Sequence, residues 1–119
     1  MEVEFYKKEN GDCPVENFLF SLDRKLLAKT MRTIELLEKN GTLIGIPYSR
    51  YLCDEIFELR TIQSSNITRI LYFFVKDNRA ILTNGLIKKT SATPSNEILI
   101  AKKYKADYER RTNEKNKGN

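Results

Sequence analysis

Histidine is absent from this chain, and cysteine occurs only twice, as Cys13 and Cys53. The two thiols lie far apart and form no C-x-x-C pair, so no Cys/His zinc set can be assembled, and no metal is expected. Reduced, buried or half-buried thiols fit a cytoplasmic home. Also missing is any apolar run near the roughly 20 residues that span a bilayer, so no membrane is expected among the partners. The first residues, MEVEFYKKENG, are charged and alternating, which is not how a secretory signal reads.

What the chain does have is a mild excess of positive charge. Its 119 residues carry 21 Lys and Arg against 16 Asp and Glu, a net charge of +5. That balance suits a polyanionic partner, nucleic acid or an acidic protein, and it is also what many soluble proteins carry for solubility. The length is natural for one domain, expected over 1–110. Residues 111–119, RTNEKNKGN, hold no apolar side chain and read as a flexible basic tail.

Periodicity sets out the elements. Val3 and Phe5 alternate with charged neighbours, as in a half-buried strand. Asn10-Gly11-Asp12 marks a turn, and Pro14 can open a short helix running to about Leu22. Asp23 can cap a second helix whose inner stripe is Leu26, Leu27, Met31, Ile34 and Leu37, with Gly41 at its end. Residues 42–50 read as a loop. Strands follow over Ile56–Ile62, Ile67–Val75 and Ala80–Ile87, joined by short polar turns. Thr93 can cap, and Pro94 open, a last helix with the stripe Ile98, Ala101, Tyr104 and Tyr108. The expected class is α+β, in the order β-α-α-β-β-β-α, with an antiparallel sheet and helices packed on one face.

Pairing the strands brings cations together. A loop at 63–66 sets Ile62 against Ile67 and therefore Arg60 opposite Arg69. With Asp77-Asn78 as the second turn, Arg69 faces Leu86, and Lys88 lies two residues further on the same face. The other face would carry Phe57, Leu59, Ile70, Tyr72, Phe74, Ile81 and Ile87 as a core surface. The cationic face, with Ile56, Glu58, Leu71, Phe73 and Asn84, is expected to be concave and partly exposed. Like charges directly opposite in a sheet cost up to about 1 kcal/mol. A bound phosphate, matched by planar guanidinium forks, gives such a pair a purpose; pairing of each arginine with Glu55 or Glu58 is the plainer alternative. Of Lys88 and Lys89 only one can point into the cluster. There, like charge would lower its pKa and suit it to proton transfer, whereas two solvated lysines at a strand end are the commoner case. Cutting RNA through its own 2′-hydroxyl needs a base, an acid and cations on the phosphate. Without histidine, a nuclease here must use Lys, Arg, Tyr or a carboxylate, and should be weak on RNA that nothing else orients.

The ordered set Glu58-Leu59-Arg60, Arg69-Ile70-Leu71-Tyr72, Leu86-Ile87-Lys88-Lys89-Thr90, Thr93-Pro94 and Glu97-Ile98 with Ala101-Lys102 resembles the HigB-like, phage-derived branch of the RelE toxin superfamily. Phe5-Tyr6, Pro14-Val15, Pro47-Tyr48 and Tyr51-Leu52 fit as well, so the resemblance covers about residues 2–108. Leu86, Asn84-Gly85 and Ser91-Ala92 depart from the usual pattern. The resemblance implies a RelE-like fold and a toxin of a type II toxin–antitoxin pair. It further implies an endoribonuclease, or mRNA interferase, that uses no metal and no cofactor, cleaves mRNA in the ribosomal A site and so inhibits translation. A cognate antitoxin, expected to be a helix-turn-helix protein encoded next door, would block it. Carried over, Arg60, Arg69, Lys88 and Lys89 take the catalytic positions, and Arg60, Arg69, Lys88, Thr93 and Lys102 the RNA-binding ones. Two other functions suit the same residues: a gyrase-inhibiting toxin of the same fold, and a non-catalytic nucleic-acid or protein-binding module of phage origin, in which the cations only position phosphates.

Overall fold

The structure, a computed structural model, describes residues 1–88 and 92–117. In chain order the elements are β1 (Glu2–Phe5), α1 (Pro14–Phe20), α2 (Arg24–Asn40), a 3-10 turn (Gly41–Leu43), β2 (Ser49–Cys53), β3 (Ile56–Gln63), β4 (Asn66–Val75), β5 (Arg79–Lys88) and α3 (Ser95–Lys117). Local chemistry explains the helix ends. Asp23 accepts the Leu26 backbone N–H at 2.9 Å and starts α2. Gly41, at φ 56°, ends it with its N–H bonded to the Leu37 carbonyl.

The sheet has five strands in the order β1-β5-β4-β3-β2. It is mixed rather than antiparallel throughout, because β1 lies parallel to β5, with Val3 beside Ala80 and Phe5 beside Leu82. The expected loop at 42–50 gives up its last two residues to β2, which pairs antiparallel with β3. The helices cover both faces, not one. α1 and α2 pack on Leu59, Ile70, Tyr72 and Leu82, while Ala101 of α3 packs with Ile56, Leu71, Phe73 and Ile81. The face expected to be open is therefore shut: Ile56, Leu71 and Phe73 are fully buried, and Asn84 donates to Glu97 of α3 at 3.0 Å.

The register between β3 and β4 is the expected one, with Arg60 opposite Arg69. Between β4 and β5 it holds only in part. Arg69 faces Leu86 and Ile67 faces Lys88, but a bulge between Leu71 and Tyr72 shifts the remainder, so that Val75 faces Arg79 rather than Ala80. The shift turns Ile81 to the α3 side, and Ile87 ends up exposed rather than in the core. In α2, Thr30 and Thr33 are buried where Met31 was expected, and Met31 faces solvent. Residues 111–117, read as a frayed tail, continue α3 as helix.

Candidate nucleic-acid interface

At the β2 end of the sheet, four charged residues share the α3 face. Register puts Arg50 opposite Glu58 and Arg60 opposite Arg69. Glu58 is the hub. Its Oε2 lies 3.7 Å from Arg69 Nη1, and its Oε1 lies 3.7 Å from Arg60 Nε and 4.0 Å from Arg50 Nη1. The two arginines opposed across the strands thus stand on the same side, with a carboxylate between them.

Burial divides their roles. Arg69 has no solvent exposure and Glu58 is 1% exposed, so this pair is an internal one. Burial pushes the Arg69 guanidinium below its ordinary pKa, Glu58 opposes that push, and Arg60 and Arg50 add to it. Thr93 completes the pair. Its hydroxyl accepts from Arg69 Nη1 at 3.0 Å and donates to Glu58 Oε2, so it is spent on the ion pair instead of capping α3, which starts at Ser95. Arg60 and Arg50 are the solvent-facing members, with side chains 18% and 47% exposed. Neither Arg60 Nε nor Glu58 Oε1 makes a hydrogen bond among the described residues. Arg50, Tyr51, Leu52, Glu58, Thr93 and Ile98 line an open cleft of about 350 Å³ here.

The other expected site residues separate from this cluster. Lys88 shares the face, two pairs beyond Arg69–Leu86, and is exposed at the rim. Lys102 pairs with Asp54 in the β2–β3 turn at 2.8 Å, and each holds the other in its charged form. Lys89 lies outside the described residues. Sequence reading missed Arg50 altogether, because it fell at the end of the segment 42–50 taken for loop and the strand it belongs to shows no alternation of burial. It named Glu58 only as one possible partner, whereas this carboxylate organises the site. Among the described residues no group of three or more His, Cys, Asp or Glu could hold a metal ion. No helix among them is long and apolar enough to cross a membrane.

One carboxylate set among three arginines leaves a surplus of positive charge, and of the three it is Arg50 that lines the cleft beside Glu58. An α+β protein with arginines gathered around a buried glutamate on one face of a mixed sheet is the class that fold and charge define. The chain belongs to the phage-derived Gp49-like family (Phage derived protein Gp49-like, DUF891), whose model matches residues 17–106, a toxin-like family related to RelE and HigB. The matched span contains Arg50, Glu58, Arg60, Arg69 and Thr93. No curated protein matches the chain.

Proposed function

We propose that this protein is the toxin of a toxin–antitoxin pair, and that it binds mRNA on the ribosome and cleaves it. The observation that carries the reading is the sharing of Glu58 by three arginines, of which two reach solvent. Arg50 and Arg60 hold the scissile phosphate and offset the charge that builds on it. Arg69, Glu58 and Thr93 do not touch RNA; they fix the strands that aim those two guanidiniums. Lys88, at the rim of the same face, is the group for proton transfer, with Lys89 as its alternative. Attack of the 2′-oxygen on phosphorus releases the 5′-oxygen; one proton leaves the 2′-hydroxyl and one reaches the 5′-oxygen, and no metal is required. Ribosomal RNA and protein supply the orientation that a chain without histidine does not. The antitoxin is an acidic helix-turn-helix protein encoded beside it, and the toxin acts in the cytoplasm.

The experiment is induced expression with primer extension on cellular mRNAs. The wild-type chain should arrest growth and produce new mRNA 5′ ends, and Arg50→Ala with Arg60→Ala should relieve both. Arg69→Ala is the wrong probe, because it removes a buried charge and unfolds the site with it. Undiminished toxicity in the Arg50/Arg60 double variant would remove the proposed site. Binding without cleavage is the second reading, favoured by the burial of Arg69 and Glu58; it predicts ribosome association with an intact mRNA pool.

A further inference from the structure

The eight-residue strand β3 outruns its neighbour. β2 pairs with it only from Ile56 to Leu59, and the last bond on that side joins the Arg60 N–H to the Tyr48 carbonyl at 2.7 Å. Beyond that point α2 runs beside the strand and leaves a groove of about 340 Å³, whose walls include Lys29, Arg32, Tyr48, Arg60 and Ile62. Three of its lining residues are cations and none is a carboxylate. Tyr48 and Ile62 are 43% and 53% exposed.

We infer that this groove is a second binding site for single-stranded RNA, continuous with the cleft at Glu58. Lys29 and Arg32 contact backbone phosphates, and a base stacks on Tyr48. The inference deepens the proposed function and rests on it. Basic grooves that track a sugar–phosphate backbone and offer an aromatic face are how proteins hold single strands without reading sequence. Arg60 joins the two sites, since it lines the groove while its Nε faces Glu58 at 3.7 Å.

One feature favours RNA over a peptide. Lys29 Nζ sits on the Ile62 carbonyl at 3.5 Å, so the outer edge of β3 carries a cation where an added strand would need a free acceptor. The groove is also held in shape. Thr61 donates to Thr33 at 2.8 Å, Thr30 and Thr68 are 3.1 Å apart, and Thr33 donates back to the Lys29 carbonyl at 3.2 Å. This threonine ladder fixes α2, and with it the backbone that carries Lys29 and Arg32, against β3 and β4 before any ligand arrives.

The test is fluorescence anisotropy of a labelled single-stranded RNA oligonucleotide with the full chain across a salt series. Lys29→Gln with Arg32→Gln should reduce the slope of log affinity against log salt by about 1.4, which is two phosphate contacts at about 0.7 each. Tyr48→Ala should weaken binding about tenfold with the slope unchanged. Lys103→Gln, on the exposed face of α3, should leave both as in the wild type. Independently of any variant, RNA containing 4-thiouridine should crosslink to Tyr48 in the wild-type chain. Wild-type affinity and slope in the groove variants, or no Tyr48 crosslink, overturns the groove while leaving the Glu58 cleft intact. Failure of the wild-type chain to bind RNA at all, free or on ribosomes, overturns the parent reading too. A poly-glutamate peptide that binds the wild type and loses affinity with Lys29→Gln and Arg32→Gln, while RNA affinity stays constant, assigns the groove to an acidic protein instead.

Discussion

Glu58 decides what the arginines can do. A guanidinium with no solvent exposure needs a counter-charge, and Glu58 supplies it together with the Thr93 hydroxyl. Removing one member of a buried pair leaves the other charge uncompensated, which costs about 3–5 kcal/mol. Glu58→Gln keeps the size and the hydrogen bond to Thr93 but removes the charge. Its unfolding free energy from a urea series should fall by an amount in that range, and a loss under about 1 kcal/mol would mean that Arg69 is neutralised by something else. The opposition of Arg60 and Arg69 was legible in the sequence, because a short polar turn between alternating strands fixes the register to the residue. The counter-ion was not legible, since Glu55 and Glu58 were equal candidates until the turn at Asp54-Glu55 directed one of them away. Both turn residues adopt positive φ.

Among the elements, β4 carried a signal that was read only in part. Its residues from Thr68 to Phe73 are all buried, and an apolar run without alternation is what a strand covered on both faces looks like. That run, rather than the one-faced sheet, foretold α3 on the far side. β2 was hidden by its shortness and by Gly45 and Pro47 just ahead of it. The helix faces depend on close approaches of the same kind. α1 lies so near β5 that a Cβ on Gly85 would stand 2.4 Å from Cδ2 of the Phe18 ring. Gly85→Ala should therefore cost about 1–3 kcal/mol in overpacking. Adding Phe18→Ala should make the double variant less damaging than the sum of the two single ones, and strict additivity in a denaturant series would refute the contact.

At the scale of the molecule, the first strand and the last helix are clasped together. The Tyr6 hydroxyl donates to Asp107 at 2.5 Å, the Tyr6 ring stacks on Tyr104 at 4.7 Å, and Arg111 donates to both Asp107 and the Lys7 carbonyl. Burial first, and the Asp107 bond second, push the Tyr6 hydroxyl up to about 12. A group whose folded pKa lies above its unfolded value of about 10 contributes stability that is complete below pH 10 and lost as pH climbs towards 12. Asp107 runs the other way. The Tyr6 hydroxyl, ahead of Arg110 and Arg111, holds it below the usual carboxylate range, so its contribution is complete above about pH 4 and lost as pH falls through its lowered value. Tyr6→Phe should lower stability by about 1 kcal/mol at neutral pH and reduce the alkaline loss between about pH 10 and 12; a chemical-denaturation series that keeps the full alkaline slope would exclude the clasp. Nothing in the local pattern announces a contact across that distance along the chain, which is why strand β1 was expected but its parallel partner was not. The clasp also sets an order of assembly. A strand made near the start waits, without a neighbour, until Arg79–Lys88 has been synthesised, and the buried Arg69 waits for Thr93 to cover it. A nascent copy that has not yet reached Thr93 therefore holds Arg69 and Glu58 without the hydroxyl that bridges them, so the charged cluster closes late in synthesis.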